Sequence, residues 1–158
     1  MKITKNKFVK YILTGIGLVV LYLAIYTPII RMPLSWSEEL MNIKTSQLYI
    51  PFSYNKSYMT NESCGRNCSI LRMHFMQRNQ SLVITISDEV SWEDDPMWRR
   101  EYQLSGTHYY YREEQNHQFL YWKDHLREMQ IDYQGINALS KEELIKIASS
   151  IHLPYSKK

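Results

Sequence analysis

The sequence lacks the short motifs that carry much hydrolytic chemistry: neither a GxSxG elbow nor an HExxH zinc helix occurs in its 158 residues. Its two cysteines are not spaced CxxC, which disfavours a thioredoxin-like redox pair. None of the five histidines stands in HxxxH or HxH spacing, so His108, His117 and His125 read as scattered, satisfied side chains rather than metal ligands. The acids Glu93, Asp94 and Asp95 lack the spaced acid-glycine pattern of a calcium loop and read as a solvated turn. No cofactor and no metal are expected. Beyond residue 31 there is no run of lysine and arginine either. Nucleic-acid binding needs concentrated positive charge to displace phosphate counterions, so that class of partner is excluded.

What the chain does have is an uncharged apolar run opening at Tyr11 and closing at Ile30, YILTGIGLVVLYLAIYTPII. Twenty helical residues at 1.5 Å each span about 30 Å, the thickness of a bilayer's hydrocarbon core. Lys2, Lys5, Lys7 and Lys10 precede the run and Arg31 follows it. Those five carry the surplus of the formal +3 charge, because fourteen basic residues face sixteen acidic ones from Met32 onward, a balance near −2. The lysine asymmetry predicts a cytoplasmic N-terminus and an outside C-terminal part. The run is longer than a signal-peptide core and ends in Thr27-Pro28-Ile29 rather than a small-x-small site, which favours an uncleaved anchor. No cysteine closes it to accept a lipid, and Gly15 and Gly17 do not form a GxxxG pair. The expected organisation is a cytoplasmic tail over 1–10, a transmembrane helix over 11–30, a juxtamembrane helix and linker over 31–47, and an extracytoplasmic domain over 48–158. So short a tail leaves no intracellular output domain, so any signal is expected to pass through a partner in the same membrane.

Met32-Pro33 ends the first helix. In LSWSEELMNI, Ser35 or Ser37 is placed to cap a short helix with Glu38 and Glu39 in its first turn. Trp36, Leu40 and Ile43 are spaced to share a face, which meets either the domain itself or, in the functional reading, the lipid surface. Residues 48–50, closed by Pro51, read as a short strand or edge segment, and 53–69 as a polar stretch holding Cys64-Gly-Arg-Asn-Cys68. Outside a membrane this pair favours a structural disulfide, with reduced thiols as the alternative.

From Ser69 the pattern has period two. Leu71, Met73 and Phe75 oppose Arg72 and His74; Leu82, Ile84 and Ile86 oppose Val83 and Thr85; Tyr109 and Tyr111 oppose His108, Tyr110 and Arg112. Met129, Ile131 and Tyr133 alternate with Glu128, Gln130 and Asp132, a row expected to be solvated. Turns fall at 77–80, at Ser105-Gly106 and at Gln115-Asn116. Ser140 and Glu143 form a capping box, and Leu144, Ile147, Ala148 and Ile151 make one apolar stripe that needs a sheet to cover it. The fold class that follows is α+β: one N-terminal transmembrane helix, then an antiparallel β meander with a C-terminal helix packed on one face.

The order of short acidic helix, apolar segment with proline, long hairpin, strand ending in a glycine turn (102–106), paired strands reaching 119–122, final strand and LSKEELIKIASSI resembles a known arrangement. It is similar to the uncharacterised extracytoplasmic domain of Gram-positive membrane-anchored, anti-sigma-like proteins, itself akin to lipoprotein carriers and sigma-regulator sensor domains. The match is best over 102–151. It departs at Lys123-Asp124-His125, where a glycine turn is usual, and in possessing Cys64 and Cys68. The resemblance implies a sensing or binding role, and the ten residues ahead of the apolar run are too few for direct anti-sigma activity.

Thirteen tyrosines and four tryptophans are many for this length. Tyr109, Tyr110, Tyr111, Tyr121 and Trp122 form a candidate ligand face for a lipid, peptide or glycan, although aromatic residues also serve as ordinary strand and core formers. The expected function is non-catalytic: a membrane-anchored binding, sensor or accessory protein of the envelope with a membrane or envelope protein partner. Two alternatives stay open: a lipid- or peptide-carrier-like module with a dry aromatic cavity under the C-terminal helix, and a membrane-tethered hydrolase or thiol oxidoreductase using Cys64 or a histidine–carboxylate pair.

Overall fold

The computed structural model describes residues 5–26, 30–65, 68–88, 100–104, 106–124 and 127–151. Expectations placed on Trp92 to Trp98, on His125 and on Pro154 lie outside them. The elements run α1 (Lys5–Tyr26), α2 (Trp36–Met41), a 3-10 turn (Thr45–Gln47), β1 (Lys56–Gly65), β2 (Cys68–Gln77), β3 (Gln80–Ser87), β4 (Arg100–Leu104), β5 (Thr107–Glu114), β6 (His117–Asp124), β7 (Arg127–Gly135) and α3 (Lys141–Ser149). The class is α+β, with a seven-stranded sheet, antiparallel in every pair, and a C-terminal helix.

The strand order β1-β2-β3-β7-β6-β5-β4 joins two meanders rather than extending one. β3 pairs with β7, in the register Leu82↔Tyr133, Ile84↔Ile131, Ile86↔Met129. Those six side chains are nearly or wholly inaccessible to solvent, so the two most apolar rows meet at the centre of the sheet. β1 is a second departure, because the polar stretch 53–69 supplies a ten-residue edge strand. Only Met59 and Asn61 of its inward row are buried, which suits an edge where few side chains reach the core. Gly106 (φ 84°) and Gln115 (φ 53°) turn the β4–β5 and β5–β6 hairpins, as the turn residues foretell.

α3 covers the inward face. Ser140 Oγ accepts from the Glu143 N–H, the Glu143 carboxylate accepts from the Ser140 N–H, and Leu144, Ile147, Ala148 and Ile151 are buried. Burial of so amphipathic a stripe, rather than local propensity, holds a nine-residue helix. Its approach is fixed by Gln118, a buried amide on β6. Leu139 N–H donates to Gln118 Oε1 (2.7 Å), while Gln118 Nε2 lies 3.0 Å from both the Leu139 carbonyl and the Tyr111 hydroxyl. At the end of β7, the Tyr133 ring occupies the space a Cβ on Gly135 would take, and its hydroxyl donates to the Asn137 carbonyl (3.1 Å).

The segment 48–50 is not a strand. Its Tyr49 N–H donates to Ser150 Oγ at the end of α3 (2.9 Å), and Lys146 Nζ sits 3.9 Å from the Tyr49 ring centroid, so the segment straps the helix instead of joining the sheet. Residues 31–47 likewise belong to the packed domain. Met32, Met41 and Ile43 are core members, and Met32 exchanges two backbone hydrogen bonds with Met59 (2.8 and 2.9 Å). In α2 the expected face is corrected. Ser37 and Met41 are buried, whereas Trp36 and Leu40 are exposed, and Ile43 turns inward only beyond the left-handed Asn42. A polar residue can face inward here because Ser37 Oγ donates towards the Leu34 and Ile43 carbonyls (2.7 and 3.1 Å).

Among the described residues no helix is long and apolar enough to cross a membrane; the side chains described on α1 are those of 9–22, all of them exposed.

Replacing Gln118 by alanine strands both backbone groups of Leu139 in a partly buried position, at a cost of about 1–3 kcal/mol per orphaned group. Urea unfolding should register a loss of at least ~2 kcal/mol, against less than ~0.5 for the exposed Gln103→Ala.

Candidate functional site

Alternation divides the five aromatic residues of the expected ligand face between the two sides of the sheet. Tyr109, Tyr111 and Trp122 point inward and are buried with α3, Tyr109 and Trp122 having ring centroids 5.9 Å apart. Tyr110 and Tyr121 pair directly across β5 and β6 on the opposite side, with centroids 5.8 Å apart. Burial pushes the Tyr109 hydroxyl above the usual tyrosine value, moderated by hydrogen bonds with Ser149 and Thr107.

The outward face of the sheet is built from stacked rings and neutralised charges. At the β1–β2 edge the Tyr58 ring stacks on His74 (4.5 Å, 14°), with the Arg31 guanidinium 4.6 Å and Lys56 Nζ 5.9 Å from its centroid. Thr60 Oγ1 lies 3.4 Å from His74 Nε2, and Arg72 meets Glu62 at 2.7 Å. Across the sheet, His117 Nδ1 lies 3.1 Å from Asp132 Oδ1, and the Arg112 guanidinium covers Phe119 at 4.6 Å. At one end of the sheet, on the side of Leu71, Ile86 and Met129 rather than the outward one, Arg127 pairs with Asp88 (3.2 Å), to which Ser69 also donates (3.1 Å). The row expected to be solvated is only partly so: Gln130 and Asp132 are half-buried and Glu128 is buried.

His117 and Asp132 are each about one-third exposed on an open surface. Ser81, the hydroxyl in their row, lies two strands from His117 with Gln134 between, about 10 Å at the usual strand spacing. Ser53 and Lys56 have serine–lysine spacing, yet both are exposed and the ammonium leans over Tyr58. Cys64 and Cys68 are joined as a disulfide at the β1–β2 hairpin, their Cα atoms 5.0 Å apart, so neither is a free thiol. Among the described residues no group of three His, Cys, Asp or Glu side chains could hold a metal ion.

A concavity does form at one end of the sheet, and sequence reasoning missed it. The β2–β3 turn, the β5–β6 turn and the end of β7 enclose a cleft of about 370 Å³. Five carboxamides line it, Gln77, Asn79, Gln80, Asn116 and Gln134, with Arg78 as the one charged lining residue. Ile136, 74% exposed, forms an apolar lip. Each carboxamide offers a donor and an acceptor, so the cleft is suited to a neutral polar group more than to an ion or an acyl chain. The signal available in the sequence was the recurrence of amide-rich turns at Gln77-Arg78-Asn79-Gln80 and Gln115-Asn116; antiparallel topology brings alternate turns to the same end.

No known protein family, curated protein or solved structure matches this chain. The resemblance carried by 102–151 therefore rests on those residues alone.

Two consequences are measurable. Burial first, then the charges of Arg72 and Arg31, hold His74 below the ordinary histidine value. The unfolded chain thus binds the proton more readily. Stability is complete above about pH 6.5 and falls as pH drops from there towards the lowered value. Melting temperature should decline between about pH 7.5 and 5.5, and His74→Gln should flatten the decline. Reduction of the disulfide, or Cys64→Ser with Cys68→Ser, should cost about 2 kcal/mol by loop closure, read from urea midpoints.

Proposed function

We propose that this chain is a single-pass membrane protein of the cell envelope, with its N-terminus cytoplasmic and the α+β domain outside, acting by non-catalytic binding as a sensor or accessory component. The observation that carries the reading is the uncharged apolar run of the sequence from Tyr11 to Ile30, twenty residues long. Over 9–22 the described side chains of α1 are all exposed, and none of them joins the core. Val9, Ile12, Leu13, Ile16, Leu18, Val19, Val20 and Leu21 are each about half exposed or more. An apolar surface of that extent needs an apolar phase, and the uncharged sequence from Tyr11 to Ile30 is long enough to find one in a bilayer. The lysines ahead of it set the orientation.

Binding rather than turnover is supported by the outward face, where the acids and bases described above are engaged with one another. The amide-lined cleft is the place for a ligand, and its lining favours a neutral polar partner such as a glycan or peptide segment of the envelope.

Topology is tested with an epitope tag after Lys158, in a Gram-positive host converted to protoplasts. The tag should bind antibody on intact protoplasts. Antibody binding only after lysis would reverse the orientation, and release of the chain into the medium would remove the tether.

A further inference from the structure

We infer that Trp36 and Leu40 of α2 rest in the bilayer interface beside the point where the tether leaves it, so that the domain is seated on the lipid surface in one orientation; this deepens the tether reading and rests on it. Trp36 and Leu40 stand four apart on one side of α2, 42% and 43% exposed, while Ser37 and Met41, about 100° further round the helix, are buried. The helix cannot roll to hide them, because Ser37 is hydrogen-bonded to Leu34 and Ile43 and Met41 is packed in the core. The chain has no slack on the membrane side. Met32, two residues past Ile30, is fixed to Met59 by paired backbone hydrogen bonds, so this edge of the sheet lies within about 7 Å of the end of the apolar run. The headgroup layer is of similar depth.

Five residues separate Ile30 from Trp36, at most about 20 Å of extended chain, which leaves the indole within reach of that layer. There an amphipathic ring has one apolar side to bury and one polar group to leave wet. Arg31, Lys44 and Lys56 are exposed in or near the same segment and suit headgroup phosphates. The occupant is therefore a lipid surface continuous with the one that holds α1, rather than a soluble partner.

The test uses the full chain reconstituted in phosphatidylcholine–phosphatidylglycerol vesicles, with and without acyl chains brominated near the headgroup. Three other tryptophans contribute emission, so wild type is compared with Trp36→Phe. The emission attributable to Trp36 should be roughly halved by the brominated lipid, while the remaining emission changes little. Vesicle flotation after alkaline washing reports the tether separately. Chain that floats with Trp36 unquenched overturns the interface contact and leaves the tether standing; chain that is washed off overturns both. If a second copy covers this face instead, Trp36→Cys will yield disulfide-linked dimers on oxidation and quenching will be absent, which also overturns the proposal.

Discussion

Two hydrogen bonds between Met32 and Met59 determine what the rest of this protein can be. They add one rung to the outer edge of β1, and they do so at the first residues after the apolar run. An edge strand otherwise presents a row of unpaired donors and acceptors that invites further pairing. Here the incoming chain takes part of that edge, and the buried Met32 side chain secures it from beneath. The segment that follows, with Met41 and Ile43, continues into the same core instead of forming a stalk.

The sheet itself is held from its inward side. Rows of aliphatic residues from β2, β3 and β7 meet at the centre, and α3 closes over them, located by the Gln118 clamp before it and by the Tyr49–Ser150 contact behind it. A single buried amide satisfying both backbone groups of Leu139 acts as a substitute rung of sheet, so the helix begins at a fixed place relative to β6. The inward side is committed to stability, so a binding role of the kind proposed would fall to the outward face, the turn ends or the surface around α2. The outward face is largely self-neutralised, which leaves the amide cleft and α2 as the surfaces with unspent binding capacity.

Much of this was legible in the sequence. Alternation gave β2, β3, β5 and β7 and assigned their residues to sides, the flanking turns marked out β6, and the Ser140–Glu143 box with its stripe gave α3 and its buried face. Cys64 and Cys68 announced their bond. Strand order was not legible, because period two marks which side a residue faces but not which strand lies beside it; β3 beside β7 follows from matching apolar rows across 45 residues of chain. β1 was hidden for the converse reason, since an edge strand buries few side chains and so shows little alternation. In α2 the apolar residues were expected inside, and Ser37 displaced them because its hydroxyl found two carbonyls there. The cleft joins turns that are distant in sequence, so no local pattern could reveal it. The five aromatic residues expected to form one ligand face occupy two, which the alternation itself requires.

On the proposed reading the segment that leaves the membrane is pinned to the sheet at Met32. Amide hydrogen exchange on the full chain in lipid nanodiscs reads that pinning, and the Met32 and Met59 amides should exchange as slowly as those in the central strands β3 and β7. Exchange at Met32 at the rate of an open chain, with the central amides still protected, would contradict it and describe a domain swinging freely from its anchor.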